Sequence, residues 1–224
     1  MSRAKGVIVA IDGPAGAGKS TISRKLAETL GYTLVDTGAL YRAVALTASR
    51  RSVDFNDGPA LGALASSLAL SFVDGELEVD GARPLEQLRT SEMGLGASKV
   101  SAHPEVRAAL LGVQRAMGTD GGVVLEGRDI GTVVYPDAEL KIFLVASNEE
   151  RARRRLAELL QQGENATLES VLADMEVRDA RDAQRALAPL RMADDAVKVD
   201  TTGRTIEAVV TQLAELAQGR AAAR

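Results

Sequence analysis

"GVIVAIDGPAGAGKST", Gly6 to Thr21, joins an apolar run, a glycine-rich turn and a hydroxyl pair. The run is almost wholly β-branched and suits a buried strand, while being too short for a signal segment or a membrane span. After it, Gly13-Pro-Ala-Gly-Ala-Gly18-Lys19-Ser20 satisfies the eight-residue phosphate-loop pattern, between a predicted strand and a predicted helix. Glycines let successive backbone N–H groups converge on phosphate oxygens, and the start of the helix adds partial positive charge. Lys19 is placed to reach the β and γ phosphates and Ser20 to ligate Mg²⁺. The pattern takes in Gly13, Pro14, Ala15, Gly16, Ala17, Gly18, Lys19 and Ser20, and Thr21 follows it. The loop does not choose a reaction, because switches, motors and small-molecule kinases all use it.

Working outward, "TLVD" (Thr33 to Asp36), "VVLEG" (Val123 to Gly127), "KIFLVA" (Lys141 to Ala146) and "AVKVD" (Ala196 to Asp200) are further short strand-like runs with helical patterns between them. Near-continuous apolar strands alternating with helices predict an α/β fold with a five-stranded parallel sheet flanked by helices. Ile22, Leu26, Ala27 and Leu30 form an apolar stripe, and Gly31 sits where a left-handed C-terminal cap is wanted. Ser147 with Glu150 predicts a capped helix over 148–162; Thr167 caps another running towards 186, and Thr205 caps a last one. Residues 70–85 break the pattern. Their period-2 alternation, punctuated by Asp74-Gly75 and Asp80-Gly81, predicts a small antiparallel meander. "GRAAAR" at the end is expected to fray.

The 224 residues suit one substantial domain with an insertion, or two small ones, and 46% hydrophobic content supplies a core. Without cysteine there is no disulfide, thiolate metal site or cysteine nucleophile, which suits a reducing, cytoplasmic setting, and the short N-terminal apolar run suits a soluble protein with no membrane association. A net charge of −4 disfavours non-specific nucleic-acid binding, and 3% aromatic content with no tryptophan disfavours base-stacking platforms. Any anionic ligand needs locally clustered cations. His103 has no second histidine or cysteine to share a metal with and is given no role; Tyr32 and Phe143 are expected to pack the core.

A GTP switch should carry an Asp-x-x-Gly element and later an Asn-Lys-x-Asp element. Here Asp200 to Gly203 stands near the C-terminus with no guanine element after it. A kinase needs instead a way to hold its acceptor. A hydroxyl acceptor benefits from a carboxylate base, whereas a phosphate acceptor is already ionised and needs cations. Arginines cluster accordingly: Arg42 after the second strand, Arg128 after the third, "RARRR" (Arg151 to Arg155) after the fourth. Strand C-terminal ends are where open α/β sheets bind ligands. Arg178, Arg181, Asp182 and Arg185 share a helix face that either closes over phosphates or is a solvated face laced by pairs such as Asp174 with Arg178. The "RARRR" run admits the same two readings, with Glu149, Glu150 and Glu158 as nearby partners.

Taken together, "DTGALYR" (Asp36 to Arg42), "EGRDIGTVVYPDA" (Glu126 to Ala138), "KIFLVAS" with "EERARRR", and "RDARDAQRALAPL" (Arg178 to Leu190) resemble bacterial-type cytidylate kinases, in order and over nearly the whole chain. The resemblance implies a nucleoside monophosphate kinase fold: one kinase domain with a core of 1–36, 120–147 and 190–224, a monophosphate-binding insert over about 37–119, which the hairpin enlarges, and a helical lid over about 148–166. It implies ATP and Mg²⁺ as cofactors, CMP and dCMP as acceptors, and a monomer.

Residue by residue, it assigns the phosphate loop and Arg154 to ATP. Thr37, Tyr41 and Arg42 go to the monophosphate end of the acceptor, Arg128 to its phosphate, and Asp129, Ser98 and Arg107 to the cytosine edge. Arg178 and Asp182 contact acceptor phosphate and ribose, while Arg181, Arg185 and the lid residues Arg151 to Arg155 lie nearer the transferring phosphates. Lys19, Arg128, Arg178, Arg181 and Arg185 thus form the catalytic set. Position 37 is often serine in relatives, and threonine keeps the hydroxyl. A carboxylate such as Asp129 can accept from the exocyclic amine of cytosine, where uracil would present an oxygen; such a mismatch is worth roughly 1 to 3 kcal/mol. Asp129 is also placed as a helix N-cap. Asp36 either orients Arg42 or a magnesium water, or caps the strand end.

Overall fold

The computed structural model describes residues 3–73 and 75–223. Strand β1, Ile8–Asp12, lies at the centre of a sheet with β2 (Thr33–Asp36), β5 (Val123–Glu126), β6 (Leu140–Val145) and β7 (Val197–Asp200), in the order β2-β5-β1-β6-β7 and parallel throughout. The apolar run is continuous because both faces of β1 are covered. Val7, Val9 and Ile11 pack towards α1 (Lys19–Leu30) and α9 (Ile206–Ala222), whereas Ile8 and Ala10 pack towards Ile130, Val134 and Tyr135. Gly31 ends α1 in the left-handed conformation, as its position predicts.

A second apolar cluster gathers α2 (Thr37–Arg50), α3 (Gly58–Ser67), α5 (Ser91–Val100) and α6 (Pro104–Ala116) beside the sheet. Gly62 lets α3 and α6 touch, since a Cβ there would lie 2.5 Å from that of Glu105. His103 ends the preceding turn and shares a hydrogen bond between Nε2 and the Phe55 carbonyl. The meander is smaller than expected. β3 (Leu70–Val73) pairs with β4 (Glu76–Val79), and the Asp80-Gly81 turn leads only to a single bridge between Val79 and Ala82. Pro84 has no N–H to continue a ladder, and the short helix α4 (Leu85–Leu88) follows instead. Asp74, the first residue of the other expected turn, lies outside the described residues.

Helices α7 (Asn148–Gln161) and α8 (Leu168–Gln184) pack on each other through Ala152, Leu159, Val171 and Met175. Ser147 and Thr167 cap them. At α7 the reciprocal half of the capping box is replaced, because the Glu150 carboxylate takes the Arg154 guanidinium. Within the terminal "GRAAAR", Gly219 to Ala222 continue α9 where fraying was expected, anchored by the buried Ala217 and sustained by alanine and arginine, both strong helix formers; Arg224 lies outside the described residues. Tyr32 packs against the first cluster, whereas Phe143 is only half-buried.

Candidate functional site

The C-terminal ends of β1, β2 and β5 open into one cleft of about 1060 Å³, roofed by α7 and α8. At its floor Gly13 has φ 148°, and a Cβ there would meet the Leu144 carbonyl at 2.2 Å, so the loop can pass between strands only as glycine. Gly18 precedes α1 in a left-handed conformation, and no side chain caps the helix. Its first N–H groups are thus left for an anion, with no acidic residue in the first turn to oppose one. The Lys19 ammonium donates to the Gly13 and Pro14 carbonyls at 2.8 and 2.7 Å, leaving one of its three protons for a phosphate oxygen. Burial and then the nearby Arg128 hold its pKa well below the usual lysine range.

Two acids that the sequence did not mark stand beside the loop. Ser20 Oγ donates to Glu126 Oε2 at 3.1 Å, while Glu126 Oε1 is buried without a partner. Burial, followed by the Asp36 charge, raises the Glu126 pKa to about 7. A hydroxyl, a carboxylate with an unspent oxygen, and phosphate oxygens fit the hard, oxygen-seeking Mg²⁺. Among the described residues there is no cluster of three or more acidic or histidine side chains able to hold an ion. The second acid, Asp12, accepts from the backbone of Ile130 and Gly131.

The side of the cleft formed by α2, β5 and α8 is a net of arginines, and Asp36, Asp129 and Asp182 are each held by one. Arg42 pairs with Asp36 at 2.6 Å, as one expected role has it, while the other Asp36 oxygen accepts from Ala39 N and caps helix α2 where a strand-end cap was the alternative. Arg128 Nε donates to Asp182 Oδ2 at 3.0 Å. Burial works to raise the Asp182 carboxyl pKa, but Arg128, Arg178 and Arg185 outweigh it and leave it lowered. Arg107 donates to Asp129 and lies over the Tyr41 ring, 5.8 Å from its centroid. Burial raises the Asp129 pKa despite Arg107. Arg178 has no carboxylate within ion-pairing distance among the described residues, so the alternative reading, a face laced by pairs such as Asp174 with Arg178, is absent. Burial, then Arg128, lowers its pKa to about 10. The Nε atoms of Arg42, Arg178 and Arg185 are buried with no hydrogen-bond partner.

Other expected contacts are less direct. The Thr37 hydroxyl donates to the Glu126 carbonyl at 2.7 Å and offers only its oxygen lone pairs to the cleft. Ser98 Oγ donates to Asp182 Oδ1 and accepts from Arg181 Nη1, both at 3.4 Å. Arg181 itself does not line the cleft, whereas Arg185 does, with Nη1 3.3 Å from Ser101 Oγ. The "RARRR" run splits. Arg154 and Arg155 line the cleft, with Arg154 donating to the Thr201 hydroxyl and carbonyl at 3.0 and 2.9 Å. Arg153 pairs outward with Glu149, and Arg151 turns inward to donate to the Ala15 carbonyl at 3.0 Å and to Asp179 at 2.6 Å. Arg151 therefore braces the phosphate loop against α8 and is not a cleft cation.

The sequence model of the family described as cytidylate kinase matches residues 9–219. Cytidylate kinase from Geobacter sp. (strain M21) is 52% identical over 97% of this chain and 97% of its own. That of Pasteurella multocida (strain Pm70) is 46% identical over 92% of each. A solved structure of an uncharacterized protein from Eubacterium ventriosum shares the fold at a TM-score of 0.50, with 11% identity over 95% of this chain and 98% of that one. A family match spanning nearly every element of the cleft, with relatives at about half identity over nearly full length, means that the chain belongs to the cytidylate kinase family.

Proposed function

We propose that the protein transfers the γ-phosphoryl group of ATP to CMP or dCMP, giving ADP and CDP or dCDP. The observation that carries this is the set of buried, unspent guanidinium donors of Arg42, Arg178 and Arg185 across the cleft from Lys19. Buried donors without partners are costly, and a phosphate is the ligand that satisfies several guanidinium groups at once. Asp36, Asp129 and Asp182 are each engaged by an arginine, so none is a free base. A phosphate acceptor has no need of one.

In the reaction a phosphate oxygen of CMP attacks the γ-phosphorus; the new O–P bond forms as the bond to the bridging oxygen breaks, and ADP leaves with that electron pair. Lys19, the N–H groups of the loop and the start of α1 hold the donor phosphates. Arg42, Arg128 and Arg178 hold the acceptor phosphate and offset its repulsion from the donor. Asp129, aimed by Arg107, accepts from the cytosine amine, and Asp182 with Ser98 faces the ribose. Arg154 reaches towards ATP, and Arg185 sits between acceptor and lid. Mg²⁺, held by Ser20 with Glu126 behind it, would neutralise charge on the phosphates when bound. Residues 148–166, which carry α7, are the lid whose closure excludes water. The insert is the part carrying Ser98 and Arg107. The setting assigned with this reading is a cytoplasmic monomer acting on free nucleotides, and no helix among the described residues is long and apolar enough to cross a membrane.

ADP release measured with ATP against CMP, dCMP, UMP, AMP and no acceptor tests the reading. CMP and dCMP should drive turnover well above the acceptor-free rate. UMP or AMP as the better acceptor would make the protein a kinase of another monophosphate. Acceptor-independent turnover would make it a nucleotide-dependent switch.

A further inference from the structure

Strand β5 ends at Glu126, and the chain must turn at once to present Arg128 and Asp129 to the cleft. A π turn, Ile130–Val134, follows, with Asp129 at its N-cap position. An aspartate there ordinarily accepts from the exposed N–H groups of the turn. The Asp129 side chain makes no such bond and is held by Arg107 instead. The two N–H groups go to Asp12: Ile130 donates to Oδ1 and Gly131 to Oδ2, each at 2.8 Å. Asp12 is 4% exposed, is the last residue of β1, and immediately precedes the first glycine of the phosphate loop.

The opposite end of the turn is braced as well. Arg115 donates from Nε to the Val134 carbonyl and from Nη2 to that of Val133, both at 3.0 Å. Arg115 lies on α6, the helix that also carries Arg107. The aspartate at the cleft and the arginine that aims it are therefore fixed through one short turn, clamped by Asp12 on one side and Arg115 on the other. Keeping a carboxylate at position 12 is costly. Burial raises its pKa to about 6, the two backbone N–H groups offset part of that, and the Asp129 charge adds to the rise.

We infer that Asp12 is a positioning residue for acceptor recognition: by capping the turn after β5 it frees the Asp129 carboxylate for the cytosine edge and ties that turn to the phosphate loop. The inference rests on the reading of Asp129 given above. It makes the donor loop and the acceptor's base reader parts of one rigid piece, although Asp12 and Ile130, which join them, are 118 apart in sequence.

The test is steady-state kinetics with CMP and UMP on Asp12→Asn, which keeps the shape and one acceptor but sets an amide N–H₂ against a turn N–H. A cooperative thermal transition and unchanged circular dichroism confirm folding. The kcat/KM for CMP should fall far more than that for UMP, lowering the CMP:UMP ratio about tenfold, with the KM for ATP within about threefold of wild type. In an Asp129→Ala background the same substitution should leave the ratio within about twofold, because the group through which Asp12 acts is gone. An unchanged ratio in the folded single variant, or a further fall in the double variant, overturns the inference. Should Asp12→Asn fail to fold, Arg115→Met releases the far end of the turn without touching the phosphate loop; a lowered ratio is expected, and an unchanged one overturns the inference equally. A wild type with no preference for CMP would remove the reading of Asp129 itself, whereas a preference that survives in these variants removes only the role of Asp12.

Discussion

Lys19→Ala should lower kcat for CMP phosphorylation about a thousandfold, the range seen when one preorganised charge is removed from a transition state. That corresponds to roughly 4 kcal/mol. Lys19 is held by two loop carbonyls and sits within the fields of Arg128, Glu126, Arg178 and Asp12. Charge developing on the transferring group meets this ammonium with little reorganisation. Folding should survive, because Lys19 forms no ion pair within 4 Å among the described residues and its ammonium is costly to bury. Turnover and the thermal midpoint, measured together, check both halves. A kcat within about tenfold of wild type would contradict the role given to the loop.

Arg178→Met should move activity and stability in opposite directions. Arg178 is half-buried beside Arg128, Arg42 and Arg155 with Asp182 as a partial offset, its buried Nε has no partner, and its pKa is lowered to about 10. A base whose pKa is lower folded than unfolded destabilises the fold wherever it is charged, that is, at all pH values below about 10. Methionine fills the space without that cost, so the ligand-free protein should gain on the order of 1 kcal/mol and melt a few degrees higher. The kcat/KM for CMP should fall by about a hundredfold or more, with the acceptor phosphate losing a charge-assisted contact. Added CMP should then raise the melting temperature of wild type more than that of the variant. A variant both less stable and fully active would mean that Arg178 is a structural residue.

All five parallel strands were legible because burial on both faces demands unbroken apolar runs, and Gly31, Thr167 and Thr205 mark helix ends by local chemistry. The phosphate loop was legible for the same reason, its function residing in backbone conformation that glycine encodes locally. Asp12 and Glu126 were not. An acid closing an apolar run reads as a strand end, and only the partners brought to it, Ile130 and Gly131 for Asp12 and Ser20 for Glu126, show what it holds. The "RARRR" run could not be resolved either, since four arginines within five helical positions cannot all face one way. Burial decides that Arg151 turns to the loop and Arg154 to the cleft. Arg181 shares a helical spacing with Arg178 and Arg185, yet Ser98 draws it aside.

One cleft is expected to hold two nucleotides and pass a phosphoryl group between them. Phosphorus NMR of ATP, Mg²⁺ and CMP with the protein follows that transfer directly. CDP should appear one for one with ADP, with no inorganic phosphate beyond the enzyme-free rate; ADP with inorganic phosphate and no CDP would contradict a transfer between two bound nucleotides.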